Sequence, residues 1–193
     1  MSSFSYSVGV ILANNLKEQG LTEVDAKELA EGFAAFLKGN ATVNLQQANM
    51  TIQKHLSSEA ASKYGPNIEA GAKFLAENAK RESVISLPSG LQYEVMTEGS
   101  GPKPKATDKV TTHYHGTLMD GTVFDSSVKR GEPATFPVNG VIKGWVEALQ
   151  LMPVGSKWKL FIPYNLAYGE RGAGAMIKPF STLIFEVELL KIN

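Results

Sequence analysis

The sequence predicts an α+β protein made of two unlike parts: an all-helical stretch, residues 1–86, then an antiparallel sheet wrapped on one short helix, residues 87–193. Three observations carry this. Apolar residues recur at helical spacing in the first part and at every second position in the second. The linker 83–90 closes on Pro88-Ser89-Gly90, a strong stop signal. One stretch in the second part, 141–150, breaks the alternation with barely two helical turns opening at Trp145.

The elements follow in order. Phe4, Val8, Ile11, Leu12 and Leu16 fall on one helix face, and Gly20 ends that run. Thr22 to Asp25 resembles a capping box for a second helix, whose stripe is Ala26, Leu29, Ala30, Phe33, Phe36 and Leu37, closed by Gly39-Asn40. Asn44 is placed to cap a third helix through Leu45, Ala48, Ile52 and Leu56, which should break or kink at Gly65-Pro66 and resume through Phe74 and Leu75 to about Arg81. The first two helices are too short to build a core alone. They need each other, the second half, or a second copy of the chain. The reading favoured is an intertwined homodimer with the long third helix as spacer; the alternative is a helical cap on the protein's own sheet.

In the second part, Leu91, Tyr93 and Val95 alternate with Gln92 and Glu94, and residues 98–108 read as loop. Val110, Thr112, Tyr114 and Leu118 share a strand face, and Asp120-Gly121 is a hairpin turn. Trp158, Leu160 and Ile162 form another inward row, and Leu183, Phe185, Val187 and Leu189 close the sheet, for about five strands in all.

Composition excludes several functions. The 193 residues carry 19 basic and 19 acidic side chains, and each half is nearly balanced, 8 against 9 and then 11 against 10. No basic face is available for nucleic acid or an anionic membrane. There is no cysteine, which removes disulfides, thiolate chemistry and the usual zinc sites. No apolar run approaches the roughly 18 residues of a membrane span. The opening residues lack the pattern of a secretory signal, so the expected location is cytoplasmic, with the periplasm second.

A search for catalytic groups is mostly negative. His113 and His115 share a strand face as a possible metal pair, and a metal-dependent hydrolase is the lowest-ranked reading; solvated strand residues is the favoured one. Tyr168 to Ala175 is glycine-rich without the lysine and context of a phosphate loop, and reads as a mobile loop. The aromatic residues say more. Tyr114, Phe124, Phe136, Trp145, Tyr168 and Phe185 are either core or the wall of a pocket. Phe124 has Asp125 directly beside it, Tyr168 lies in a glycine-rich segment, and Gly144 before Trp145 leaves room for something to approach.

The stretches VTTHYHGTLMDGTVFDSS, NGVIKGW, LMPVGSKW, LAYGERGAG and TLIFEVELL, spread in order from about Gly90 to Ile192, resemble the FKBP-type peptidyl-prolyl cis–trans isomerases. The N-terminal part, YSVGVILANNL through FLAENAKRESV, is similar to the helical dimerisation domain of the bacterial Mip-like branch. The resemblance implies a half-wrapped antiparallel sheet around a short helix (FKBP-like), preceded by a helical dimerisation domain and long connecting helix. It implies non-covalent acceleration of Xaa-Pro rotation, with no cofactor and no metal. Carried over by position, the catalytic set is Asp125, Tyr168, Phe124, Ile142 and Trp145. The substrate-binding set is Tyr114, Phe136, Val141, Ile177, Phe185 and Arg130, the last holding the aspartate. Expected partners are proline-containing peptides, unfolded proteins bound in a chaperone-like manner by the dimer, and the macrolides rapamycin and tacrolimus. A scaffold of the same fold without catalysis is the alternative. The chain departs from relatives at Ala134, where some carry an aromatic residue, at Ala173, Met176 and Lys178 in the flap, and in a shorter loop between Phe136 and Val141.

Overall fold

The computed structural model describes residues 3–18, 21 and 23–193. The chain divides into two compact units between Glu59 and Ala60. That division falls inside a helix and not at the 83–90 linker, for a packing reason given below.

In the first unit, α1 spans Phe4–Glu18 and α2 spans Ala26–Leu37. The cap of α2 is Asp25: its carboxylate accepts from the Lys27 and Glu28 N–H groups, both at 2.8 Å. Gly20 and Thr22, which figure in the predicted helix stop and capping box, lie outside the described residues. Gly39 takes φ 71° and closes α2, with its N–H on the Phe36 carbonyl and the Asn40 N–H on Ala35, a Schellman stop that only a left-handed residue completes. The third helix, α3, runs Leu45–Asn78. Asn44 caps it reciprocally with Gln47, at 2.9 and 3.0 Å. Neither α1 nor α2 buries a residue: Phe4, Ile11, Phe33, Phe36 and Leu37 all stand exposed.

The helix continues through Pro66, so of the break or kink expected there the break does not occur. Beyond it the helix is fastened to the sheet. Asn67 donates to the Pro179 carbonyl at 3.0 Å, and Asn78 donates to Gln92, whose own amide returns to the Leu75 carbonyl. The Phe74 ring packs on Phe161 at 6.0 Å, and Gly71 allows close approach to Thr182. These contacts offset the roughly 3 kcal/mol that an interior proline costs, and they place residues 60–78 in the second unit. The last part of α3 is therefore not a bare spacer.

The sheet is antiparallel and has seven strands, not five: β1 Val84–Ser86, β2 Gln92–Thr97, β3 Lys109–Leu118, β4 Val123–Ser126, β5 Ala134–Pro137, β6 Lys157–Ile162 and β7 Leu183–Ile192. The order is β1-β2-β6-β7-β3-β4, with β5 also on β3. β4 and β5 share one edge, interrupted by the single-turn helix α4, Ser127–Arg130. Ser126 caps that turn by accepting the Lys129 N–H, and Gly131 at φ 77° ends it. β1 lies in the segment read as linker. Strands of three or four residues are too short for alternation to register.

Helix α5, Lys143–Leu151, lies in the curve of the sheet and buries Gly144, Trp145, Ala148 and Leu149. Against it pack Val110 and Tyr114 of β3, Leu160 and Ile162 of β6, and Leu183, Phe185 and Val187 of β7. Phe161 points the other way, beneath Phe74. Among the described residues, no helix is long and apolar enough to cross a membrane.

Candidate active site

The concave face of the sheet and the start of α5 leave a cavity of about 670 Å³ between them. Its floor is fixed by the helix start. Ile142 is the α5 N-cap, and its carbonyl accepts from Trp145 and Val146. Trp145 therefore falls on the first turn, facing inward, and is 4% exposed. Three rings meet the indole edge-on: Tyr114 at 5.4 Å, Phe185 at 5.2 Å and Phe136 at 6.0 Å. Phe124 extends this wall by an edge contact with Phe185 at 5.3 Å. Such arrangements suit the ring quadrupoles and lock each ring in place.

β3 and β4 place the polar side. Tyr114 and Asp125 come from these strands, and the Tyr114 hydroxyl donates to Asp125 Oδ2 at 2.5 Å. Arg130, on the last residue of α4, donates to the other Asp125 oxygen and to the Tyr114 hydroxyl, the latter at 2.8 Å. Partial burial works to raise the Asp125 carboxyl, but the Tyr114 hydrogen bond and the Arg130 hydrogen bond and charge outweigh it, leaving the group below the usual carboxylate range. Burial, and then the bond to Asp125, push the Tyr114 hydroxyl up. Burial, and then the Asp125 charge, do the same for Tyr168. Near neutral pH the site thus holds one fixed carboxylate and two neutral phenols.

Ten of the eleven residues singled out from the sequence line this cavity: Tyr114, Phe124, Asp125, Phe136, Val141, Ile142, Trp145, Tyr168, Ile177 and Phe185. Arg130 stays outside and acts on its polar edge. The reading of Gly144 needs correction. Its missing side chain admits not a ligand but Ile162, whose Cγ2 would lie 2.6 Å from an added Cβ. The segment read as a mobile loop is tied into a small bridge, Ala173 with Ile177, by bonds of 2.8 and 3.1 Å.

Sequence reasoning missed Gly140, Gly174 and Ala175 as lining residues; Ala173 and Met176, placed by it at the pocket rim, line the cavity. It also missed Gly116. A Cβ there would lie 2.7 Å from the Phe124 ring and 2.8 Å from Phe185, so this glycine makes the space in which both rings stand. Its one signal is a glycine on the inward row of β3 between Tyr114 and Leu118. His113 and His115 face away from the cavity, and their Nδ1 atoms meet Ser127 at 3.1 Å and Ser126 at 2.9 Å.

The wall contains no serine, cysteine or lysine nucleophile, and its one carboxylate is held ionised. Such a wall is suited to an apolar ring and offers no nucleophile. The half-wrapped antiparallel sheet with an indole-floored, ring-lined cavity matches the fold expected from the sequence resemblance. Comparison with known proteins shows the class. Residues 101–190 match the family model for FKBP-type peptidyl-prolyl cis-trans isomerase, and residues 1–95 match that for the domain amino terminal to it. The chain is 52% identical over 192 residues to the FKBP-type 22 kDa peptidyl-prolyl cis-trans isomerase of Escherichia coli, covering 97% of this chain and 93% of that one. It is 42% identical over 197 residues to the outer membrane protein MIP of Legionella longbeachae, covering 98% and 84%. The crystal structure of FkpA from Escherichia coli superposes with a TM-score of 0.67 at 35% identity, covering 98% of this chain and 92% of that one. The chain belongs to the FKBP-type peptidyl-prolyl cis–trans isomerases, in the Mip-like branch that carries the N-terminal domain.

Proposed function

We propose that this isomerase lowers the barrier to Xaa-Pro rotation by exclusion of water and orientation alone, with no proton transferred. The observation that carries this is the pairing of a ring-lined cavity with a single carboxylate that is held ionised by the Tyr114 hydroxyl and the Arg130 charge. An amide resists twisting by roughly 18–20 kcal/mol because rotation destroys resonance. The twisted imide has a less polar carbonyl, so an apolar wall favours it over the planar, water-solvated form. That is complementarity to the transition state. A hundred-thousand-fold acceleration needs only about 7 kcal/mol.

The roles divide among three groups. Trp145, Phe185, Phe124 and Val141 hold the proline ring, with Phe136 and Ile177 completing the wall. The Ile142 N–H and the Tyr168 hydroxyl hold the substrate backbone in a turn. Asp125, set by Tyr114 and Arg130, stands beside the strained carbonyl. The test is cis–trans exchange on Xaa-Pro peptides. Trp145→Ala should lose most activity together with about 3–5 kcal/mol of stability, as large core truncations do. Phe124→Tyr and Asp125→Ala should lose turnover with little loss of stability; normal exchange rates in both would refute the assignment.

The division into a helical part, 1–86, and an isomerase part, 87–193, underlies a second proposal. The unburied apolar stripes of α1 and α2 support a homodimer through the N-terminal helices. Two cavities on one dimer would engage an unfolded chain at two places and raise the effective concentration, which is the chaperone-like role proposed. Rapamycin and tacrolimus are proposed ligands of the same cavity, with Ala173 and Met176 in its wall adjusting their affinity. The cytoplasm is the proposed compartment; since one relative is named an outer membrane protein, cell fractionation is the check.

A further inference from the structure

A second cleft of about 250 Å³ opens beside the main cavity. Three separate segments build it: Asn67 from α3, Leu118 to Asp120 from the β3–β4 hairpin, and Met176 to Thr182 from the loop before β7. Met176 lines both this cleft and the proline cavity, so the two adjoin at one flexible side chain. The volume lies below the roughly 300–1,000 Å³ of a drug-sized site and is suited to one or two side chains.

The walls decide what would enter. Leu118, Met119 and Met176 supply apolar surface, and unbranched thioether side chains adapt to varied partners. Asp120 and Lys178 bring one charge of each sign, so the cleft selects for neither. Asn67 is held by its bond to the Pro179 carbonyl, which makes this turn of α3 a fixed wall.

We infer that this cleft is an extension subsite for the isomerase reaction: it binds an apolar side chain flanking the proline of the same peptide, so that longer apolar segments are preferred over short ones. The occupant is the substrate itself, because the cleft lies across the Met176 side chain from the cavity proposed to hold its proline. The subsite contributes binding and not turnover, since it touches none of the rings or the carboxylate about the rotating bond.

The experiment measures exchange by the full chain on an Ala-Xaa-Pro-Phe-type tetrapeptide and on the same core lengthened by leucine or by glycine on either side. The wild-type protein should show about a tenfold lower KM for leucine on one flank, the discrimination that one added apolar contact supplies, with kcat unchanged and no gain for glycine. Met119→Glu and, independently, Ser181→Trp, which fills the cleft, should abolish that gain while leaving tetrapeptide turnover at the wild-type level. An equal gain in wild type and both variants, or no gain on either flank, overturns the subsite. Absent tetrapeptide turnover in the wild type would instead count against the proline cavity.

Discussion

Replacing Gly116 with alanine tests whether the ring geometry, and not merely an apolar surface, performs the reaction. The added methyl would sit 2.7 and 2.8 Å from two Phe124 ring atoms and 2.8 Å from Phe185, well inside carbon–carbon contact of about 3.5–4.0 Å. Neither ring can yield freely. Phe185 is 4% exposed and is held edge-on by Trp145 and Phe124. Overpacking of this kind costs about 1–3 kcal/mol. The shift of both rings should reduce kcat/KM by more than tenfold, a loss of over about 1.4 kcal/mol in transition-state stabilisation. Gly101→Ala is the control. Its Cβ would meet Val154 at 2.7 Å, a comparable clash away from the cavity. Urea unfolding gives the stability of each variant, and exchange on a tetrapeptide gives the activity. Both variants should be destabilised, but only Gly116→Ala should lose activity while fully folded. Wild-type activity in Gly116→Ala, or an equal loss in Gly101→Ala, would refute the reasoning.

The depressed Asp125 carboxyl makes a pH prediction: its folded value lies below the ordinary one of about 3.9, so the ionised form persists above that pH and is lost only as pH falls through the folded value. Exchange should therefore be flat through neutral pH with an acid limb below about pH 4, and with no alkaline limb before about pH 10, because both tyrosines are raised. Arg130→Ala removes a donor and a charge, and should move the acid limb upward. Residues 60–193 should be markedly more stable to urea than 87–193, which lacks Phe74 and Asn78 and so leaves Phe161 and Gln92 without those partners; equal midpoints would show that the end of α3 adds nothing. Phe33→Glu, in the unburied face of α2, should halve the sedimenting mass of the full chain, whereas an unchanged mass would exclude this face from the dimer contact.

Residue chemistry made part of the site legible: an aspartate beside a phenylalanine and a tyrosine among glycines are poor core positions. The rest, Val141, Ile142, Ile177 and Arg130 among it, was legible only through the family resemblance. The long strands were legible too, since β3 and β7 each show one face to the core over ten residues. What escaped depends on distant partners. β1 spans three residues inside the segment read as linker and exists only through pairing with β2. The break expected at Pro66 does not occur, because the contacts that fasten the helix beyond it come from other elements, Asn67 with Pro179 being one. Gly144 and Gly116 were indistinguishable in sequence as spacers. One admits Ile162 and the other two aromatic rings, a difference that only packing decides.

The solvent isotope effect on kcat/KM for a short Xaa-Pro peptide tests the central claim most directly. If a water-excluding, ring-walled cavity rotates the imide without moving a proton, the rates in light and heavy water should coincide. A severalfold slowing in heavy water would show a proton in flight at the transition state and would contradict the account.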